Sequence, residues 1–505
     1  MREHADAHSD GGTRARCGRL GRLAALVGVA LLAALATSAS AGAKTRVPHV
    51  RRVIRAAPAA PETPASVRIP GLGQNVELNR VGILEIAPRN EAAKNVLVLE
   101  PGTSAAAAYF VPFAKALVAA VPGWQVWAVE RRQSFLENQR ELNMYKAGKV
   151  SSEEFFNYYL GYIDTLGVKR HYHPVPETSV EFAKNWGMSV AVEDLNVVIE
   201  EAKKLGGKVV LGGHSLGGSV VTAYATWDFA GHPGAEGLSG LVYDDGGSSP
   251  LAISREEAEH ALAKLDQPGE TPWLAFGGIT APDLGLFSAT GSALTLVEPK
   301  GASQLEKFRL LPPDLQGPIH PVTNEAGFGF SVNVGTSPAS LAAAQIHGGA
   351  GVEEATEADG LHGWNGAGAL TPVRRYAEML AGAGLPVSGS EWYFPARLTL
   401  DTGAVGNGLP NPAQEVLGLR STMGTDLPKT LQILAIDSEL DKLLGGEATT
   451  LNEAEALAAQ SGIPPSNLTL IEEKNSYAHN DPAGATPEIN EFFKHMVPYL
   501  ERIAP

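Results

Sequence analysis

The 505-residue chain has a single cysteine, Cys17. With no second thiol there is no internal disulfide, no paired-cysteine redox chemistry and no zinc site built on cysteine. Basic charge is also short: 40 Lys and Arg stand against 55 Asp and Glu, a net charge of −15. An acidic surface of that size argues against nucleic acid or an anionic membrane as partner. Metal-ligand spacing is lacking as well among His320, His347 and His362, and His171 and His173, in a polar, proline-bounded stretch, compete poorly as a catalytic base. No metal and no cofactor is expected, and no repeat recurs at a fixed period.

The first 43 residues read as an export signal. Arg14, Arg16, Arg19 and Arg22 precede an apolar stretch from Leu23 to Ala36, and Ala39-Ser40-Ala41 and Ala41-Gly42-Ala43 both fit a small-residue cleavage site. About 14 apolar residues fall short of the roughly 20 that span a bilayer. The reading is therefore a cleaved signal, a secreted, periplasmic or extracellular location, and no stable membrane span after cleavage. Cys17 precedes the apolar stretch rather than following it, which argues against a lipid anchor. Residues 44–66, rich in Ala, Pro and Arg with Pro58, Pro61 and Pro64, read as an extended linker.

Beyond the linker, apolar runs alternate with helical patterns. Val76 to Leu78 and Val81 to Ile86 read as a leading hairpin, followed by runs at Asn95–Leu99, Trp124–Val129, Lys208–Gly212, Gly240–Tyr243, Thr430–Ile436 and Leu468–Ile471. Nearly continuous apolar strands separated by helices predict a mostly parallel sheet covered on both faces. Helical periodicity marks Tyr109–Ala120, Ser189–Leu205, Gly218–Trp227 and Glu488–Leu500. The core is expected over 67–247, with an insertion at about 133–187, and again over 428–505. Residues 248–427 are too many for a structureless loop and are expected to form a cap or lid with its own elements, including helices at Ser254–Lys264 and Pro372–Ala381. Its aromatics, Phe328, Phe330, Trp364, Trp392, Tyr393 and Phe394, suit either a cover over an apolar site or a small core of the cap itself.

Gly213-His214-Ser215-Leu216-Gly217 lies between the run ending at Gly212 and the small-residue run Gly218 to Ala225. A G-x-S-x-G sequence in a strand-to-helix turn exposes the serine hydroxyl at its apex, and the helix N-terminus behind it favours negative charge. Ser215 is thus the candidate nucleophile, with the amide of Leu216 as an oxyanion donor. The loop Glu100-Pro101-Gly102-Thr103-Ser104 follows the third strand, and the amide of Thr103 is the second candidate donor. His479, in the polar loop after the last strand, is the candidate base. Asp441 is the first choice for the acid that orients it and Asp437 the next, with Asp244 and Asp245 after the sixth strand also topologically possible.

These residues resemble the α/β-hydrolase superfamily and, within it, secreted serine esterases and lipases. The resemblance rests on the elbow Gly213 to Gly217, on Pro101-Gly102, on Glu130-Arg131-Arg132 after the fourth strand, and on the Asp441 and His479 loops. The loop after the third strand often begins His-Gly in that family and here reads Pro101-Gly102, and the glycine three before the family's acid is Ser438 here. The resemblance implies an α/β fold, no cofactor, and cleavage of a small or lipid-like carboxylic ester through an acyl-serine intermediate. An amidase, a peptidase or an acyltransferase would use the same residues, and a non-catalytic ligand-binding member of the fold is the remaining alternative.

Overall fold

Alternate residues of a strand face opposite sides of a sheet, so a run that is apolar at every position needs cover on both sides. The chain forms strands β1 (Pro48–Ala56), β2 (Arg80–Pro88), β3 (Asn95–Glu100), β4 (Trp124–Glu130), β5 (Val209–His214), β6 (Gly240–Asp244), β7 (Gln432–Ile436) and β8 (Leu468–Ile471). The computed structural model describes residues 46–165, 167–249, 251–276, 279–304, 317–318, 320–355, 360–440 and 449–505. Within it these strands join one sheet in the order β1-β2-β4-β3-β5-β6-β7-β8. The pairings of β2 with β1 and with β4 are antiparallel, and all the others are parallel.

Helices α1 (Val111–Ala120), α2 (Met188–Lys203) and α3 (Leu216–Ala225) come before β6, and α4 (Ala281–Val297), α5 (Val373–Ala381) and α6 (Ala396–Val405) lie between β6 and β7. Helix α7 (Glu491–Ile503) follows β8. Period-2 alternation divides the strands between two cores. Val209, Leu211, Leu241, Tyr243, Ile433 and Ala435 pack with α2 and α3, while Val210, Val242, Leu434 and Ile436 pack with α1 and α7. The strand order, the helices on both faces and the turn from β5 into α3 make this the α/β-hydrolase fold.

Residues 44–66, expected to be a linker, instead contribute β1. Its arginines look like linker composition, but they are the partners of carboxylates that β2 and β4 bury. Arg51 pairs with Glu85, and Arg52 donates to both oxygens of Glu130 at 2.8 and 2.7 Å. Val50 and Val53 meanwhile pack against opposite cores. The expected leading hairpin is also rearranged. Asn75–Glu77 pairs with Ser66–Arg68 in a separate two-stranded ribbon, and β2 takes β1 as its antiparallel neighbour.

The long insertion between β6 and β7 contains both helices expected in it, as Arg255–Leu265 and α5. It does not, however, keep its apolar groups to itself. Helix α5 adds Val373, Tyr376, Ala377, Met379 and Leu380 to the core shared with α1, whereas Phe394 and α6 residues Leu398, Ala404 and Val405 enter the core shared with α2. Trp392 and Tyr393 are buried with Tyr159, Tyr172 and Leu286 in a third cluster. The insertion therefore completes both flanks of the sheet, and these aromatics are packing residues rather than a cover.

Loss of Arg52 would leave the buried Glu130 carboxylate without its forked partner. Arg52→Met is expected to destabilise the protein by about 2 kcal/mol, the usual cost of stranding a hydrogen-bonded buried charge. Arg55→Met, which removes a looser 3.5 Å contact with Glu201 at the surface, should change stability by less than about 0.5 kcal/mol. Paired thermal melts of the two variants check the ranking.

Candidate functional site

Strand β5 ends at His214 and α3 starts at Leu216, so Ser215 makes the whole turn. It does so with φ 55° and ψ −128°, a conformation that costs a non-glycine residue on the order of 1–3 kcal/mol. Backbone bonds hold it there: the Ser215 amide donates to Asp244 O at 3.0 Å, and its carbonyl accepts from Gly218 N at 2.8 Å. The flanking glycines are required by close approach. A Cβ on Gly213 would lie 2.3 Å from the Gly217 carbonyl, and one on Gly217 would lie 2.1 Å from Glu100 O. Leu216 is the first residue of α3, so its amide is among those left unpaired by the helix and aimed off its N-terminus.

Positive φ recurs on either side of this turn. Among the described residues, six non-glycine residues have it, and three of them are Ser104 (φ 53°), Ser215 and Asp245 (φ 44°). They lie in the loops after β3, β5 and β6, strands that are direct neighbours, at the carboxyl edge where ligands bind in sheets of this kind.

His479 lies in the loop between β8 and α7 and is buried. Its Nδ1 is hydrogen-bonded to Asp245 Oδ2, with both side chains at most 1% exposed, and the hydroxyl of Ser438 donates to the same carboxylate oxygen. Burial pushes the Asp245 carboxyl up to about 7, against the pull of the Ser438 hydroxyl. The loop after β6, which the sequence left as a topologically possible source, therefore places a carboxylate on the imidazole. Asp441 lies outside the described residues. Asp437 is buried at the end of β7, where Oδ1 accepts the amide of Glu473 at 2.6 Å. Ser438, noted in the sequence only for standing where a glycine was expected, turns out to serve Asp245.

His214, the spacer of the elbow, is the link between Ser215 and the His479 loop. Its Nε2 lies 3.0 Å from the carbonyl of His479, and a carbonyl can only accept, so Nε2 carries the proton. Its ring stacks on Tyr109 at 5.0 Å and lies 4.5 Å from the ring of His479. Burial, reinforced by the neighbouring imidazole, lowers His214 to about 3. A neutral ring at this position leaves His479 free to become cationic without a like charge beside it. Tyr109 also donates to Asn480 Oδ1 at 2.9 Å, and Asn480 donates to the carbonyls of Ala343 and Gln345 at 3.1 Å.

A second imidazole and carboxylate pair anchors the same loop. Asp481 is fully buried and accepts from Thr371 Oγ1 at 2.7 Å, from the Ala478 amide at 2.8 Å and from His347, both through its amide at 3.1 Å and through Nδ1 at 2.6 Å. Thus His347, a histidine of the long insertion, positions the loop that carries His479. Nothing in the local sequence around His347 announces this, because the contact spans 134 residues.

No protein-family profile matches the chain, and neither does any curated protein sequence. Solved structures similar to it include a thermostable carboxyl esterase from Bacillus coagulans in complex with glycerol, 11% identical, with 90% of this chain and 98% of that one covered and a TM-score of 0.35. A soluble variant of monoglyceride lipase from Saccharomyces cerevisiae is 13% identical, covering 84% and 92% at a TM-score of 0.33. The thioesterase domain from the curacin biosynthetic pathway is 11% identical, covering 86% and 98% at a TM-score of 0.36.

Hydrogen bonding to Asp481 raises His347 above the ordinary imidazole value, with burial opposing and the charge of Glu439 assisting. A histidine whose folded pKa exceeds its unfolded one stabilises fully below about 6.5 and loses that contribution as pH rises through the folded value. Between about pH 6.5 and 8.5 the wild-type melting temperature should therefore fall more steeply than that of His347→Gln. Parallel slopes for the two proteins in thermal melts across this range would show that the pair has no such linkage.

Proposed function

We propose that the protein is a serine hydrolase that cleaves carboxylic esters through an acyl-Ser215 intermediate. The observation that carries this reading is a serine held at φ 55° between β5 and α3, with a buried imidazole and carboxylate pair, His479 and Asp245, on the adjoining loops. Strain maintained at one residue by surrounding backbone bonds needs a reason, and exposure of a nucleophile is one. His479 takes the Ser215 proton as Oγ attacks the ester carbonyl, and Asp245 fixes the tautomer and stabilises the imidazolium that results. The negative charge that develops on the carbonyl oxygen is received by the amides of Leu216 and Thr103. The imidazolium then protonates the leaving alcohol, and a water activated by the same imidazole releases the acid. The substrate is a small or lipid-like ester, and the segment 1–43 directs this activity outside the cytoplasm.

A fluorophosphonate probe should label Ser215, and Ser215→Ala should abolish labelling and lower turnover by on the order of 10⁶. Asp245→Asn should cost about 10⁴ in kcat, whereas Asp437→Asn should leave it nearly unchanged. Activity should fall in acid with an apparent pKa that belongs to the His479 and Asp245 pair as a unit. The assay is a panel of p-nitrophenyl esters and matched anilides on protein lacking residues 1–43. Turnover of the anilides alone would make the enzyme an amidase, and labelling at another serine would remove Ser215 from the mechanism.

A further inference from the structure

The loop after β3 is held from behind by one buried guanidinium. Arg131 follows β4, and its side chain is 5% exposed. Its Nη2 donates to the carbonyl of Pro101 and its Nη1 to the carbonyl of Gly102 at 3.2 Å. Two buried carboxylates offset the charge: Glu100 accepts from Nε at 2.7 Å, and Glu391 lies 3.3 Å from Nη1. Glu391 is itself fixed by Gln133 at 3.2 Å and by Ser134 at 3.1 Å, and its amide donates to the Ser104 carbonyl at 2.9 Å. Three carbonyls of one short loop are thus drawn to a single polar cluster. Burying an arginine among carboxylates is costly unless its donors are used, and here a planar fork serves two main-chain oxygens and two acids at once.

The same loop packs against the elbow. A Cβ on Gly102 would stand 2.8 Å from Cβ of Ser215 and 3.1 Å from Nδ1 of His214. In a trans peptide the N–H points opposite to the C=O. Fixing the carbonyls of Pro101 and Gly102 on the guanidinium therefore turns the amides of Gly102 and Thr103 away from it. We propose that Arg131 is a positioning residue that sets the orientation of the Gly102–Thr103 peptide, so that the Thr103 amide is aimed in advance at the oxyanion formed beside Ser215. This rests on the serine hydrolase reading. It assigns a task to an arginine that touches neither substrate nor Ser215, and it makes Glu391, a residue of the long insertion, part of the support for the turnover step.

Two variants test it. Arg131→Lys keeps a positive charge between Glu100 and Glu391 but loses the fork. Arg131→Met combined with Glu100→Gln and Glu391→Gln leaves no buried charge unpaired. For wild type and both variants, kcat and KM are measured with p-nitrophenyl acetate, together with inhibition by an alkyl boronate, whose serine adduct is tetrahedral and anionic. Folding is followed by circular dichroism. The expected result is folded protein with kcat lower by about 10²-fold and KM nearly unchanged, because only the transition state uses the aimed amide. Boronate affinity should fall in proportion to kcat/KM. A folded variant with wild-type kcat, or a loss confined to KM, overturns the proposal. Failure of both variants to fold also overturns it, by assigning Arg131 to stability. If wild-type protein turns over no ester and Ser215 takes no label, the serine hydrolase reading fails first and this inference falls with it.

Discussion

The bond between His479 and Asp245 is the interaction on which the rest of the site depends. Both side chains are sealed from water, where an ionised carboxylate is costly unless it is hydrogen-bonded. Asp245 reaches the imidazole only because its own backbone takes φ 44° directly after β6, and Ser438 from the loop after β7 supplies a further donor. His479 is held toward Asp245 by the two residues that follow it, Asn480 on the 343 and 345 carbonyls and Asp481 on His347. Loops following β6, β7 and β8 thus meet at one carboxylate, and the insertion supplies the anchors.

How much of this was legible in the sequence follows from the range of each interaction. Strands β3 to β7 could be read because two-sided burial writes a nearly unbroken apolar run into each, and the half-buried edge strand Leu468–Ile471 was placed to the residue. The elbow could be read because its glycines are dictated by atoms within a few positions. Strand β1 could not, since an edge strand whose arginines serve buried acids carries the composition of a linker. Asp245, which bonds His479, was ranked below the acids after β7 for a related reason. Strands β6 and β7 are neighbours, so acids after either one lie close to the imidazole in any sequence-level picture, and the choice is made by a turn geometry and a Ser438 contact that only the assembled sheet defines.

The insertion between β6 and β7 shows how a chain without disulfides holds a large site in place. Its helices are not appended to the sheet but complete the layers on both of its faces, with Tyr376 and Met379 on one side and Phe394 and Leu398 on the other. Removing it would expose both cores. The segments that bridge those helices, at 343–347 and 389–392, are then the ones that grip the His479 loop and the loop after β3. Stability and site geometry are consequently coupled, and a change in insertion packing would be felt at both loops.

Strand β1 has one further consequence. Among the described residues it is the outermost strand of the sheet, and an outer strand presents amides and carbonyls of the kind that template pairing with another chain. Within nine residues it carries Arg51, Arg52 and Arg55, the first of them two-thirds exposed. All three are paired with acids of the same molecule, Glu85, Glu130 and Glu201, and an edge strand lined with such charged side chains is a poorer template for a further strand than an apolar one.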